Sequence, residues 1–427
     1  MIHLLASPPL WLLIYFILFL LILYIFIRTY IKIKYKFWYL QPVYHVYDIF
    51  NWVTPSGIID PEIPKFNKYT NLINIKTYDI TEINEVLLDR SCNFINSYYV
   101  QSPNAAYNPQ KYNIVEYLKH SNQKSYITLY NEPKIVFEQN GGHNEGHNEG
   151  HNEGHNEGQN SIMYDEIISI ITGRPLHITL RKNPTFEIYY VDNLCVHPLY
   201  RNKGIAPEMI QTHYYNMRNK NKNIQTCLFK REGKLNMIVP LVAYNTYLFN
   251  ITNITNMVLN NAINNVIEIN TDQLFLFNDF ISLQKKDNQF ECIIMPDMSN
   301  IINLLKSQNI FIYGIINKGE LMAVYIFRRP NLFYNKEESV ECFLTLYNKK
   351  ISDVQLFING FIVSLHKLKQ KINNSYLLIE ELCDNDIIID HFIHNKNIIL
   401  DFTSPTAFFL YNYCSYTVNS KKSIIFY

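Results

Sequence analysis

The sequence has almost no excess of charge of either sign. Its 38 Lys and Arg residues are balanced by 37 Asp and Glu residues, which leaves a formal net charge of +1 over 427 residues. Proteins that bind nucleic acid through its phosphates show a basic surface or a basic stripe. The near-neutral balance excludes nucleic acid as the partner around which this chain is built. The length is enough for two or three ordinary domains or one large double domain.

Cysteines are few and show no pairing pattern. Their number is odd, they stand far apart, and no two have CxxC spacing. This excludes a disulfide framework and a cysteine zinc site, and it predicts reduced thiols in a cytosolic compartment. The seven residues are Cys92, Cys195, Cys227, Cys292, Cys342, Cys383 and Cys414.

Glycine is scarce, with 13 in the chain, and it recurs most regularly in one repeat. Gly142–Gly158 consists of Gly-His-Asn-Glu repeated four times, so a histidine stands at every fourth position from His143 to His155. On a helix these histidines would share one face and bind metal, but a glycine at every fourth position opposes a helix. We therefore predict a disordered insertion at residues 140–160 and no metal site.

Charged residues are absent from Leu4 to Ile27, where the sequence is dominated by Leu, Ile, Phe and Tyr. At 1.5 Å per residue, about twenty such residues span a bilayer core. A cleaved signal peptide is the alternative, but its shorter apolar region ends in small residues, whereas this run ends at Arg28. We predict a tail at 1–9 and a retained transmembrane helix at 10–28. The basic residues that follow it place the rest of the chain in the cytoplasm by the positive-inside rule.

Residues 188–218 have the pattern of a strand, a loop and a helix. Ile188–Val196 is rich in β-branched and aromatic residues, which is typical of a strand. A turn follows at His197–Gly204, and an amphipathic run that predicts a helix begins at Ile205. The loop at the junction, Arg201–Ala206, carries two basic side chains and one glycine. Unpaired N–H groups at a helix start, the helix dipole and a glycine that permits close approach together make an anion site.

This stretch resembles the acyl-CoA pyrophosphate loop of the GNAT acyltransferases, and three further segments narrow the resemblance to the N-myristoyltransferases. Leu194–His197 followed by Ala206-Pro207 is similar to that family's signature. Tyr35–Val43 contains its Lys-Phe-Trp-x-x-Gln-Pro-Val segment, Phe408–Tyr413 resembles its Tyr-Tyr-Leu-Tyr-Asn-Trp, and the chain ends on an apolar run.

The resemblance implies an α/β (α+β) fold of two GNAT-like halves related by pseudo-twofold symmetry, after one transmembrane helix. We assign 29–65 to a juxtamembrane CoA-contacting segment. Residues 66–250 form the acyl-CoA-binding half and residues 251–427 the peptide-side half. Myristoyl-CoA or another long-chain acyl-CoA is then a co-substrate, with no permanently bound cofactor. The other partners are the N-terminal glycine of a protein and a membrane.

The resemblance also assigns the site. The backbone amides of Asn193 and Leu194 form the oxyanion hole, and the α-carboxylate of Tyr427 deprotonates the amine. A peptide amine with a pKa of about 8 is mostly protonated near pH 7, so a base is needed. The residues expected to contact acyl-CoA are Tyr35, Lys36, Phe37, Trp38, Leu194, Cys195, Val196, Arg201, Asn202, Lys203, Gly204, Ile205, Ala206 and Pro207.

One side chain near the loop invites another mechanism. Cys195 lies two residues from His197, on the same side of a strand, which permits a Cys–His nucleophile. The thiol is better explained as a core residue, because the family transfers the acyl group without an acyl-enzyme. Asp401, ahead of the final segment, is interpreted as a solvated or capping carboxylate.

The chain departs from the family on the peptide side. Thr403–Ala407 lacks the family's acidic glycine-rich run, Gln101–Asn104 replaces an acidic loop, and Tyr247–Asn250 replaces Tyr-x-His-Arg. The main hypothesis is a membrane-anchored N-acyltransferase. One alternative is an inactive acyl-CoA-binding membrane adaptor, and another is a transferase that acts on a different amine or on lysine.

Overall fold

The computed structural model describes residues 10–137, 161–181, 183–233, 237–256, 265–286, 289–348 and 353–427. The predicted insertion at 140–160 lies wholly outside these residues. The helices are α1 (Leu10–Lys34), α2 (Ile49–Val53), α3 (Glu85–Tyr98), α4 (Lys111–Leu118), α5 (Ile205–Lys220), α6 (Leu274–Lys286), α7 (Met298–Lys306), α8 (Val354–Lys369) and α9 (Asn385–Ile393).

The strands form one large sheet, apart from a two-stranded sheet of the first and the seventeenth. They are β1 (Gly57–Ile58), β2 (Ile75–Asp79), β3 (Ala105–Tyr107), β4 (Tyr126–Phe137), β5 (Ser161–Leu180), β6 (Phe186–Val196), β7 (Cys227–Glu232), β8 (Val242–Asn250), β9 (Val266–Glu268), β10 (Cys292–Met295), β11 (Ile310–Asn317), β12 (Glu320–Arg328), β13 (Leu332–Tyr334), β14 (Glu337–Tyr347), β15 (Asn374–Glu380), β16 (Ile399–Tyr411), β17 (Tyr413–Cys414) and β18 (Ser423–Ile425).

Helix α1 is the one described helix that is long and apolar enough to cross a membrane. It runs six residues past the predicted end at Arg28, to Lys34. Its apolar side chains are exposed up to Leu23, whereas Tyr24 is half-buried and Ile31 is buried in the cluster that contains Val43 and Tyr47. One side of the C-terminal turns of α1 is thus packed on the rest of the protein, while the turns before Tyr24 are exposed.

The sheet contains the same arrangement twice. In the first half β4, β5 and β6 are antiparallel neighbours, α5 follows, and β7 lies parallel to β6. In the second half β11, β12 and β14 are antiparallel neighbours, α8 follows, and β15 lies parallel to β14. A helix between two parallel strands is the crossover that such pairing requires. The predicted α/β fold of two similar halves is confirmed.

The two halves exchange strands. After β7 the chain crosses to place β8 beside β15 of the second half, and after β15 the strand β16 returns beside β7 of the first half. Strands β8 and β16 pair antiparallel at the centre of the sheet. The sheet is therefore continuous across the boundary at residue 250 that the sequence suggested.

One local prediction from the sequence is wrong. The sequence predicts a short hairpin of Tyr126–Tyr130 and Lys134–Phe137, with the turn at Asn131-Glu132-Pro133, because these three are turn-forming residues. Instead β4 continues through them and pairs with β5 from Tyr126 to Phe137, with a register shift at Tyr130/Asn131. A bulge absorbs the irregular residues, and pairing with the long β5 outweighs the local preference for a turn.

Candidate active site

Strand β6 is interrupted where the sequence predicts the oxyanion hole. Thr172 pairs with Asp192 and Ile170 with Cys195, so Asn193 and Leu194 together oppose one residue of β5. Asn193 has the left-handed backbone, with φ of +53°. This is a β-bulge, which breaks the ladder and redirects the main chain locally. The two predicted donors thus lie at the break.

The side chains around the bulge hold it in place and also occupy one donor. The Asn193 side-chain amide donates to Thr172 Oγ1 at 3.0 Å. The backbone N–H of Asn193 donates to Oδ1 of Asp192 at 2.7 Å. In this conformation one of the two predicted oxyanion donors is engaged by a carboxylate.

The loop before α5 has the geometry of an anion site. Asn202 and Gly204 have left-handed backbones, with φ of +63° and +85°, and Gly204 is the N-cap of α5. Gly204 has no side chain to cap the helix, and the backbone amides of Asn202, Lys203 and Gly204 have no acceptor among the described residues. The first-turn amides of Ile205 and Ala206 have no partner inside the helix either. Pro207 has no N–H and contributes only to the backbone shape.

The basic side chains of this loop are held differently. The Arg201 guanidinium donates to the carbonyl oxygens of Val196 and Tyr98, at 3.1 and 3.2 Å, so it braces the loop against β6 and α3. The Lys203 ammonium lies 4.9 Å from the centre of the Tyr200 ring. Ile205 packs with Leu194 and Val196, which fixes the start of α5 on β6.

An apolar cavity of 320 Å³ lies between β6, β7 and α5. Trp38 forms one wall and stacks on Phe229 at 5.6 Å, and Phe229 stacks on Phe409 at 5.3 Å. Phe37 is buried and contacts Trp38 edge-on at 5.2 Å. Tyr35 is half-buried, whereas Lys36 is exposed.

Two of the resembling segments contact each other, which the sequence alone did not indicate. The Tyr411 hydroxyl donates to Gln41 Oε1 at 2.5 Å, and the Asn412 N–H donates to the Pro42 carbonyl at 2.6 Å. The Asn412 side chain also bonds to Asp60 and Gln225. Buried Asn412 therefore joins the segment after α1 to the end of β16.

A second, more polar cavity of 470 Å³ opens on the other side of the bulge. Tyr427 lies in its wall and is 3 % exposed. The two cavities share five lining residues and meet at the bulge. The shared residues are Tyr99, Asp192, Asn193, Lys230 and Arg231.

Tyr427 is held by a buried charge cluster. One main-chain oxygen accepts a hydrogen bond from Arg328 at 3.2 Å, and its hydroxyl accepts from Arg328 and Lys230 at 2.6 Å each. That hydroxyl donates to Glu380 Oε1 at 2.8 Å, and Arg328 forms a bidentate pair with Glu341. Hydrogen bonds of both the phenol and the main chain therefore hold Tyr427 in place.

The pKa values within this cluster diverge. Burial opposes ionisation of Glu341, but the charges of Arg328 and Lys230 outweigh it and lower the Glu341 pKa. For Glu380 burial prevails over the attraction of Lys230, and the pKa is raised. Burial also raises the pKa of the Tyr427 phenol, which stays protonated and acts as a hydrogen-bond donor.

The side chains considered as alternatives from the sequence, Cys195 with His197 and Asp401, fit other roles. Cys195 is buried against α3, and burial raises the pKa of its thiol to about 11, so it is not a thiolate near pH 7. His197 packs on Tyr98 at 4.5 Å, and its Nδ1 accepts from the Leu199 N–H. Asp401 is exposed.

No family model and no curated protein matches this sequence. Among solved structures, N-myristoyltransferase of Saccharomyces cerevisiae with bound myristoyl-CoA superposes with a TM-score of 0.64 at 15 % identity, covering 91 % of this chain and 94 % of that one. The chain has the N-myristoyltransferase fold. The same yeast enzyme with myristoyl-CoA and inhibitors gives a TM-score of 0.64 at 16 % identity over 92 % and 94 % of the two chains. The N-myristoyltransferase resemblance of the four short segments is thus confirmed for the fold.

Proposed function

We propose that this protein is an N-acyltransferase that moves a long-chain acyl group, myristoyl in the first instance, from acyl-CoA to the N-terminal glycine of a protein. The observation that carries the proposal is the meeting of an apolar and a polar cavity at the Asn193–Leu194 bulge. A chain bound in the apolar cavity has its thioester at this junction, and the amine reaches it through the polar cavity. The fold, shared with an enzyme solved with myristoyl-CoA, supports the same arrangement.

The proposed step is a direct transfer. The amine lone pair attacks the thioester carbonyl, a C–N bond forms, and the carbonyl oxygen becomes an oxyanion. The amine proton passes to the carboxylate of Tyr427. The C–S bond then breaks, and the CoA thiolate leaves and is protonated. The Leu194 N–H donates to the oxyanion, and the Asn193 N–H joins it when Asp192 releases that group. One lost backbone donor of this kind costs about 3 kcal/mol.

The acyl-CoA phosphates are proposed to bind the amides from Asn202 to Ala206. Lys203 adds charge there, and Arg201 braces the loop. Trp38 closes the apolar cavity over the acyl chain, which excludes water from the thioester. Phe37 and Tyr35 support Trp38 from the side of α1.

Transfer is tested with purified protein, labelled myristoyl-CoA and a peptide that begins with glycine. Label should move to the peptide, and amidation of Tyr427 should lower kcat by on the order of a hundredfold or more, since a positioned general base contributes that much. Acyl-CoA affinity should not change. Asp192→Asn is the matched variant, because Asp192 is the other carboxylate at the junction. Loss of transfer in Asp192→Asn with full activity after amidation would move the base to Asp192.

Acyl-CoA binding without transfer is the second candidate function. The hydrogen bond from the Asn193 N–H to Asp192 favours it, because a carboxylate then stands where the oxyanion forms. Under this candidate the protein binds myristoyl-CoA and no label reaches any amine, and Asp192→Asn, which removes the blocking charge, should restore measurable transfer.

We further propose that α1 anchors the protein in a membrane and that α2 lies in the same interface. Tyr47, just before α2, packs on α1, and Arg28 lies 5.7 Å from its ring. Helix α2 therefore stands beside the last turns of the apolar run, and its Phe50, Trp52 and Val53 are exposed by 87 %, 56 % and 78 %. Aromatic side chains of this kind favour the boundary between lipid and water.

The membrane proposal is tested on full-length protein in vesicles that contain brominated lipids. Trp11→Phe with Trp38→Phe leaves Trp52 as the single tryptophan, and its fluorescence should be quenched. The control variant lacks Trp52 as well and carries Phe275→Trp, at an exposed position of α6 in the second half. Its fluorescence should remain unquenched. If Trp52 and the tryptophan introduced at position 275 are quenched equally, or if Trp52 is not quenched, the proposal that α2 lies in the membrane interface is refuted.

A further inference from the structure

Arg174 is a buried cation in the wall of the polar cavity. It lies on β5 opposite Tyr190 of β6 and is 6 % exposed. Its guanidinium is 5.1 Å from the centre of the Tyr117 ring and 5.3 Å from that of Tyr190. Two aromatic faces hold a guanidinium in a fixed orientation and compensate part of its lost hydration.

Arg174 has no anionic partner among the described residues. It forms no ion pair and donates no hydrogen bond there, although the other buried cations of this wall are all matched. Lys230 pairs with Glu380, Arg328 with Glu341 and Arg329 with Glu338. A buried charge without a partner is strongly unfavourable, so a cavity that retains one is suited to a ligand of opposite sign.

A second unsatisfied donor lies in the same wall. The Tyr117 hydroxyl is buried and has no hydrogen-bond partner, while its ring stacks under Arg174. Burial raises the pKa of this phenol, so it remains a donor. A guanidinium fork and a neighbouring phenol are donors that suit a carboxylate, which can accept two parallel N–H bonds and one O–H bond.

The other charged groups that face the cavity do not supply this carboxylate. Asp192 acts on Arg174 only through space and accepts the Asn193 N–H, and Glu341 is paired with Arg328. Glu232 and Arg231 are exposed at the rim. Two segments next to the cavity carry no acidic side chain that would attract a basic peptide: Gln101–Asn104, which follows the lining residue Val100, and Thr403–Ala407, which includes the lining residue Ser404.

We propose that Arg174 and Tyr117 form a carboxylate subsite that selects an acidic side chain close to the acylated amine. The inference rests on the proposed function. Tyr190 contacts both the guanidinium of Arg174 and the ring of Tyr427, at 5.3 and 5.2 Å. The subsite is therefore one aromatic ring away from the residue that takes the amine proton, and the acidic residue belongs to the first few positions after the glycine.

The test compares three sets of glycine-initiated peptides that differ at one of positions 2 to 4, where each carries Glu, Gln or Lys. Wild-type protein should prefer Glu over Gln by on the order of tenfold or more in kcat/KM at one position, because a desolvated charge-assisted hydrogen-bond pair is much stronger than a neutral one. Arg174→Met should abolish this preference and leave kcat/KM for the Gln peptide within about threefold. Tyr117→Phe should reduce the preference partly. Arg181→Met is the control and should keep the preference, because Arg181 is exposed directly after β5 and lines neither cavity.

The same comparison is made by calorimetry on protein loaded with a non-reactive thioether analogue of myristoyl-CoA. If no peptide is acylated but Glu peptides bind more tightly than Gln peptides and Arg174→Met removes the difference, the transferase proposal fails and the subsite stands. If peptides are acylated without a Glu preference at any of the three positions, or if Lys is preferred, the subsite is refuted. An equal loss for Glu and Gln peptides in Arg174→Met, with a lowered melting temperature, assigns Arg174 a structural role instead.

Discussion

The two halves of the sheet differ most in what surrounds their crossover helices. In the first half α5 starts at Gly204, which offers no cap, and the space between α5 and the sheet is the apolar cavity. In the second half α8 starts at Asp353, whose carboxylate accepts the Leu356 N–H at 3.1 Å. The helix there covers a filled core, where buried Tyr325 stacks on Phe357 at 5.3 Å and packs on Phe361 at 5.8 Å.

This comparison shows how one arrangement serves two purposes. An uncapped helix start leaves several amides free for an external anion, whereas a capped one satisfies them internally and stabilises the helix. Aromatic residues between helix and sheet turn a ligand cavity into core. Even the glycine of α8 is packed, because a Cβ at Gly360 would lie 2.5 Å from the Tyr325 hydroxyl. Binding of acyl-CoA beside a crossover helix is thus expected in the first half alone.

The largest effect predicted for this comparison comes from adding a carboxylate to each half at a glycine that has the same backbone conformation. Gly204 and Gly319 both have φ of +85° and open space around the Cβ position. Gly204→Asp should weaken acyl-CoA binding by about 2 kcal/mol, or roughly 30-fold, because it puts negative charge beside the phosphates. Gly204→Asn adds a side chain of nearly the same shape without the charge, so it should weaken acyl-CoA binding less.

Gly319→Asp, in the turn between β11 and β12, is the matched control. It should leave affinity unchanged while losing as much thermal stability as Gly204→Asp, since both strain the same backbone region. Calorimetric titration with acyl-CoA and melting curves give the two readouts. Equal loss of affinity in both aspartate variants contradicts the assignment of the phosphates to the first half.

A smaller effect is predicted for the histidines of the two crossover helices. His213 of α5 lies in the wall of the apolar cavity, and burial lowers its pKa to about 3. His366 of α8 is less buried, and its pKa is lowered chiefly by burial and also by Lys369. Between pH 3 and about 6.5 the unfolded chain binds the proton that folded His213 refuses, so the free energy of unfolding falls on acidification, by up to about 1.4 kcal/mol per pH unit.

Denaturant unfolding between pH 5 and 7 measures this dependence. His213→Gln should flatten it clearly, with an amide that can still accept from Thr128, and His366→Gln should flatten it less. Variants that flatten it in the reverse order would show that the cavity wall of the first half is wetter than the core of the second.

The sequence predicted those parts of the protein whose signals are local. The strand, loop and helix at 188–218 and the apolar helix α1 follow from residue type and spacing, and the structure contains them. The turn at Asn131–Pro133 failed, because pairing with β5 is a long-range interaction that a window of ten residues does not contain. The resemblance supplied the fold through four short segments, without showing that two of them touch.

The candidate site was predictable to the same degree as the fold, because only its local features can be inferred from the sequence. The loop and the helix start at Arg201–Ala206 were predicted from one contiguous stretch, whereas the break of β6 at Asn193 was not, because Ile188–Val196 was interpreted as an unbroken strand. Arg174 could not be singled out, because its burial, its aromatic neighbours and its lack of a carboxylate depend on α4, β5 and β6 together. The occupation of the Asn193 N–H by Asp192 is likewise a side-chain conformation, on which sequence carries no information.

The exchange of strands between the halves has a consequence for synthesis of the protein. Strand β7 has an open edge until β16 has been translated, and Gln41 meets its partner Tyr411 across a separation of 370 residues. An exposed strand edge invites pairing with other chains, and such distant contacts fold slowly. Helix α1 therefore leaves the ribosome long before the sheet can close. If α1 inserts into a membrane as proposed, the nascent chain is held apart from its copies during that interval and is less exposed to mispairing.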